Sequence, residues 1–152
     1  MKVYVKVFLL ALAAALTACV SVQKFEDAVG RDWSLVEVRT GQQNITIDRN
    51  KSTNDGFGDI FTLHFDEGRI SGVGAPNRYF APYTLTDKQG MTIGIIAGTL
   101  MAALFEPENL KEHEFFAYLQ NVERWNIVKG NLELYSKRED GSQTVLIFSP
   151  AE

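Results

Sequence analysis

The chain holds a single cysteine, Cys19, so no disulfide within it can brace the fold. Stability must come from an apolar core, for which ten Phe, five Tyr and two Trp supply bulk. Basic residues are the minority charge, with 15 Lys and Arg against 19 Asp and Glu and no basic block. That balance excludes the usual electrostatic footprint of a nucleic-acid binder. It also makes the protein a poor candidate for purely electrostatic attachment to anionic lipid. Only two histidines are present, His64 and His113, and they share no local motif. No serine sits in a G-x-S-x-G setting. With no visible set of nucleophile, base and orienter, no catalytic residue is assigned and the chain is not expected to be an enzyme. A hydrolase would require one of the two histidines to meet a carboxylate in a pocket.

What is present is concentrated at the N-terminus. Lys2 and Lys6 precede the apolar stretch Val7–Leu16, which leads into Leu16-Thr17-Ala18-Cys19. A charged region, a short apolar region and a small-residue cleavage site make a secretory signal peptide. The apolar stretch is about half the ~20 residues a transmembrane helix needs, so a permanent span is not expected there. The Leu-Thr-Ala-Cys junction resembles a bacterial lipobox. That resemblance implies a diacylglycerol on the Cys19 thiol, removal of residues 1–18, and a membrane anchor made of acyl chains. In a Gram-negative cell, Val20 leaves the usual Asp retention signal absent, so the expected address there is the outer membrane, facing the periplasm. Loss of Lys2 and Lys6 leaves 13 basic against 19 acidic residues, a mature net charge of −6.

The remaining chain is one domain in size, long enough for a core of its own. Residues 19–31 carry no clear period and are expected to form a tether, with the domain at 32–150. Trp33–Val38 alternates weakly and reads as a strand, with a short second strand in Gln42–Asp48. Asp48–Gly58 is polar and turn-rich, and reads as a loop. In Ile60–Phe65, residues Phe61, Leu63 and Phe65 share one face of a strand. Asp66-Glu67-Gly68 turns the chain into a partner strand, Arg69–Val73. Tyr79–Thr86 is a strand interrupted by Pro82, which is expected to make it an edge or a bulge. Met91–Ile95 follows as another strand. The apolar run Gly94–Leu104 is expected to lie in the core under a helix, the alternative being a membrane- or partner-facing segment.

In Glu106–Val122 the period changes. Phe115, Tyr118, Leu119 and Val122 make one helical stripe, Pro107 suits a first turn, and Glu106, Glu108 and Glu112 suit its N-terminus. The stripe is expected to dock the helix, over 108–122. Truncating Leu119 should then cost stability, and truncating Glu112 very little. Arg124–Val128, Leu132–Ser136 and Gln143–Phe148 close the chain as three hairpin-linked strands. The fold class is therefore α+β, mostly β: a small antiparallel barrel of about eight strands with one packed helix.

Two segments invite a ligand reading. Asp48, Asn50, Ser52, Asn54 and Asp59 echo the oxygen spacing of a calcium loop, but Thr53 stands where glycine is required, so no metal site is assigned. Gly72-x-Gly74 lacks the Lys-Ser/Thr of a phosphate loop and reads as backbone geometry. Asn77, Arg78 and Tyr79 are the weak candidates for ligand contact, although Asn77 fits a turn-holding role better. No cofactor is expected.

Four features resemble the META domain family, also called HslJ-like. They are Trp33-Ser34-Leu35, the segment Ile70–Tyr79 with its Gly72, Gly74, Asn77 and Arg78, the segment Thr99–Ala103, and Glu112 to Leu119 followed by Leu132-Glu133-Leu134. The resemblance covers roughly Asp32–Phe148. It implies a small β-barrel, often on an envelope lipoprotein, with some relatives linked to heat stress or antibiotic tolerance. Many relatives place cysteines where this chain has Pro76 and Ala103, so a thiol-based role does not carry over. The expectation is a monomeric, lipid-anchored envelope protein acting as a binding or assembly module, with an unknown envelope protein as partner. The alternative is a carrier of a small hydrophobic ligand or lipid. A filled barrel interior would favour the module and a cavity the carrier.

Overall fold

The computed structural model describes residues 24–54, 59–101, 107 and 109–151. Cys19, the expected leader, and Glu106 and Glu108 of the expected helix lie outside the described residues. Among the described residues, ten strands form one antiparallel sheet. They are β1 (Asp32–Arg39), β2 (Asn44–Thr46), β3 (Thr62–Asp66), β4 (Arg69–Val73), β5 (Arg78–Leu85), β6 (Met91–Ile93), β7 (Ala97–Gly98), β8 (Val122–Val128), β9 (Asn131–Lys137) and β10 (Gln143–Pro150). Their order is β6-β5-β4-β3-β1-β10-β9-β8, with β2 paired to β1 and β7 to β5. The outer strands of that path meet. Gly90 bridges Arg124, Trp125 N donates to Gln89 O at 2.9 Å, and Gln89 Nε2 donates to Asn126 Oδ1 at 2.8 Å. The sheet is thereby a nearly closed eight-strand barrel, which leaves few unpaired edges.

Alternation dictates what fills it. In β5 every second residue, Tyr79, Ala81 and Tyr83, points inward, and in β9 Leu132, Leu134 and Ser136 do. The weak alternation of β1 has a physical cause: a bulge between Leu35 and Glu37 resets the period, so that Trp33, Leu35 and Val38 all reach the core. Trp33, Phe61, Phe65, Phe115 and Phe148 are among the largest fully buried side chains. Burial of each such side chain contributes ~1.5–3 kcal/mol. The rings form two clusters. Phe25 meets Phe65 and Trp125 edge-on, both at 5.0 Å. Phe115 packs on Phe61 at 5.1 Å and on Tyr79 at 5.9 Å.

Several expectations are corrected. The tether expected over 19–31 is packed from Phe25 onward. Phe25–Asp27 is a 3-10 turn, Phe25 and Ala28 are buried, and Trp33 Nε1 donates to Ala28 O at 3.0 Å. A buried aromatic on this short turn stitches the segment into the barrel. The loop expected over Asp48–Gly58 contains a short helix, α1 (Arg49–Asn54). Asp48 Oδ1 accepts from Lys51 N at 3.0 Å, so the carboxylate of the supposed calcium loop is a helix cap. Arg49 pins this helix to the barrel by donating to Ile60 O and Phe61 O.

Pro82 does not interrupt β5. It pairs opposite Arg69, and its carbonyl accepts from Gly94 N at 2.9 Å, on the side where β6 gives way to β7. The missing N–H therefore falls at a gap in the ladder, where no acceptor is lost. The helix α2 runs over Glu112–Gln120 and is shorter than the expected 108–122. Pro107 precedes it, and Val122 belongs to β8. Phe115 and Leu119 are its buried residues, as the stripe required.

The run Gly94–Leu104 is not a core segment in its described part. Ile95, Ala97, Gly98, Thr99, Leu100 and Met101 are exposed, and only Ile96 packs against the core. A two-residue strand on the outside of β5 cannot turn every side chain inward.

Candidate functional site

The three motif segments that were separate in sequence converge on Asn77. It ends the Gly74-Ala75-Pro76 turn before β5 and is buried, one of few polar residues to be so among those described. The Ala75–Pro76 bond is cis. Asn77 Nδ2 donates to Glu112 Oε2 at 2.7 Å and to Met101 O at 3.2 Å. Its Oδ1 accepts from Thr99 Oγ1 at 2.8 Å and from Met101 N at 2.7 Å. An amide side chain offers two donors and two acceptor lone pairs, and here all four are used.

Glu112, the first residue of α2, completes the clamp. Its Oε1 accepts from Ala75 N at 2.6 Å and from Asn77 N at 2.7 Å. Negative charge at a helix N-terminus is favourable in its own right. Here the same carboxylate also satisfies backbone donors of a turn that has no strand partner. The expectation that Glu112 is dispensable is therefore overturned. The side chain faces inward to the turn, and helix spacing alone gave no sign of that.

The glycines are explained by the same contacts. A Cβ on Gly74 would lie 2.5 Å from Glu112 Oε1 and 2.8 Å from Phe116 Cζ. A Cβ on Gly72 would lie 2.1 Å from Thr62 O. Both are sites of close approach, as backbone geometry rather than phosphate binding requires.

The remaining candidates divide. Tyr79 is fully buried, its hydroxyl donates to Thr62 O at 2.8 Å, and its ring meets Phe116 at 5.2 Å. Burial pushes its phenol far above the ordinary tyrosine range. Arg78 is exposed, with its backbone N donating to Thr99 Oγ1 at 3.2 Å. Of the three, only Arg78 offers a side chain to solvent.

Elsewhere, His64 sits on the outer face of β3 between two carboxylates. Its Nδ1 is 2.7 Å from Asp32 Oδ1, and its Nε2 is 3.5 Å from Asp66 Oδ1. Neither of two open clefts, of about 420 and 380 Å³, includes it. Those clefts border the C-terminal end of α2 and the β9–β10 hairpin, with Asn121, Lys137, Arg138 and Glu139 in both walls. His113 is exposed on α2. Among the described residues no group of three His, Cys, Asp or Glu converges as metal ligands. Among the same residues no helix is long and apolar enough to cross a membrane.

Two solved structures share the architecture. One is the NMR structure of a protein from Burkholderia xenovorans, 20% identical, covering 83% of this chain and 85% of that one, with a TM-score of 0.61. The other is the crystal structure of a duf4847 family protein from Bacteroides vulgatus, 16% identical, covering 82% of this chain and 95% of that one, with a TM-score of 0.54. At such identities the likeness is one of fold alone. No curated protein matches the sequence. The family model of the META domain matches residues 23–151, which spans the turn at Phe25, the Asn77 clamp and the last strand. The chain belongs to the META domain family.

Proposed function

We propose that this protein is a lipid-anchored envelope protein whose META domain is a non-catalytic binding or assembly module. The observation that carries the reading is where its binding capacity lies. Large aromatic and aliphatic side chains pack the barrel interior, while Phe80, Ile95, Leu100 and Met101 remain outside. A packed interior supports recognition on the outer surface over carriage of a ligand within. The hydrogen-bond saturation of Asn77 supports a structural use of the motif that looked most like a site. His64 meets Asp32 and Asp66 on the outer face of β3 and lines neither of the two clefts described above.

The anchor half of the proposal rests on the run Leu16-Thr17-Ala18-Cys19 behind a short apolar stretch. Intact-mass measurement of protein extracted from its own membranes tests it. The expected species begins at Cys19 and carries acyl mass. A chain that begins elsewhere, or is recovered soluble, overturns the anchor. Pull-down of the acylated protein, with lipids and proteins both identified, tests the module.

A further inference from the structure

We infer that the outer face of β5 and β7 docks on the lipid surface to which the acyl chains of Cys19 would hold the protein. The inference rests on the lipid-anchor reading above and assigns the face that the anchor presents to the membrane. The apolar side chains there are large and open: Phe80 is 49% exposed, Ile95 80%, Met101 60% and Leu100 101%. Phe80 pairs opposite Ala97, so strand pairing brings β5 and the 95–101 segment side by side.

Chain length allows this face, and its exposed apolar side chains distinguish it from the neighbouring strands that Phe25 also reaches. Phe25 lies six residues after Cys19. Six residues span at most about 20 Å even when fully extended. A domain of this size has a diameter of roughly 35 Å, so that leash cannot pass around to the far side. Phe25 is fixed in the barrel with its ring 5.6 Å from that of Tyr83. Tyr83 is an inward residue of β5, and Phe80 is an outward residue three positions earlier on the same strand. That separation is about 10 Å along the strand, and Leu100 and Met101, beside Arg78 and Asn77, lie about 20 Å along it. The outer surface of β5 is therefore within reach of the anchor.

The charges around the patch also fit a headgroup layer. Arg78 and Phe80 share the outward side of β5, and the Arg69 guanidinium carbon lies 5.4 Å from the Phe80 ring centroid. Arg69 has Asp66 opposite it in the β3–β4 pair. Guanidinium groups beside apolar side chains suit phosphates above and acyl chains below. The protein as a whole is acidic, so the patch would bind vesicles weakly from solution. Anchoring changes that, because a short leash raises the effective concentration of the second contact to the millimolar range.

The test uses the full lipidated chain in vesicles of phosphatidylethanolamine and phosphatidylglycerol. Leu100→Cys and, separately, Asp140→Cys provide sites for an environment-sensitive fluorophore, the second at the β9–β10 hairpin. Both positions are exposed, and because Asp140 Oδ1 accepts from Ser142 N at 2.9 Å in the hairpin turn, circular dichroism and a thermal melt check the fold of each variant. The expected result is a blue shift at position 100 and quenching by brominated lipid several-fold stronger there than at position 140. Equal quenching at both positions overturns the inference. So does photocrosslinking from position 100 to a protein, rather than to lipid, in native membranes. Intact mass on the same sample separates the two levels: absent acyl mass refutes the anchor, whereas full acylation without quenching at 100 refutes the docking face alone.

Discussion

Asn77 and Glu112 are 35 positions apart in sequence and share two hydrogen bonds, Asn77 N to Oε1 and Nδ2 to Oε2, both 2.7 Å. The pair ties the turn before β5 to the start of α2. Loss of Glu112 would leave Ala75 N, Asn77 N and Asn77 Nδ2 without their acceptor, and loss of the Asn77 amide would leave Glu112 Oε2 without its donor, at ~1–3 kcal/mol per group. Glu112→Ala should therefore lower stability by at least ~2 kcal/mol, and Asn77→Ala by a similar amount. A double-mutant cycle in urea should find a coupling of ~1 kcal/mol, the one bond between the two side chains, since Asn77→Ala keeps the backbone donor to Oε1. Additive losses would show that the two side chains do not act together.

Gly74 gives the same clamp a steric test. A Cβ at that position would meet Glu112 Oε1 at 2.5 Å, whereas one at Gly41 would meet nothing within 4 Å. Gly74→Ala should push the carboxylate off its two backbone donors and cost ~1–3 kcal/mol. Gly41→Ala should lie within ~0.5 kcal/mol of the parent. Thermal melts of the pair check this, and matched melting temperatures would contradict the close approach.

Phe25 marks where the folding unit begins. It is buried against Phe65, Tyr83 and Trp125. Phe25→Ala should cost ~3–5 kcal/mol, the usual range for a buried Phe. A fragment starting at Asp32 should be destabilised at least as much, because it also loses Ala28 and the Trp33 Nε1 bond to Ala28 O. Denaturation of fragments starting at Lys24 and at Asp32 decides it. Equal midpoints would return residues 24–31 to the role of a tether.

What the sequence made legible was the local part of the design. Leu63 and Phe65 alternate, and with Gly68 at φ 72° they announce the β3–β4 hairpin, whereas Phe61, expected on the same strand face, lies just before β3 at φ 51° and is buried next to Ile60. Phe115 and Leu119 announce the buried side of α2. What stayed hidden was set by partners distant in sequence. Glu112 looked like one of three helix-start acids until the turn at Ala75 and Asn77 was placed against it. Ile95, Leu100 and Met101 looked like core because apolar runs usually are. Their exposure follows from the pairing of β7 on the outside of β5. The structural use of Asn77 was legible in its residue type, but its four side-chain partners were not.

Tyr79 makes stability depend on alkaline pH. Desolvation by burial raises its phenol well above the ordinary value of 10.0. In the unfolded chain the phenol ionises near pH ~10, while in the folded barrel it stays protonated. The folded state then binds more protons than the unfolded state at high pH, so stability falls as pH rises. The contribution is intact below pH ~10 and is lost above it, at ~1.4 kcal/mol per pH unit for one group. Urea midpoints should drop between pH 9 and pH 11 by more in the parent than in Tyr79→Phe, which has no phenol to ionise. Phe at this position also loses the bond to Thr62 O, so its midpoint at pH 9 should start lower. Spectrophotometric titration gives the independent readout: Tyr79 should ionise only as the protein unfolds. Equal pH slopes for parent and variant would place the alkaline sensitivity elsewhere, with Tyr83 and Tyr135, whose phenols are also raised by partial burial, the next groups to test.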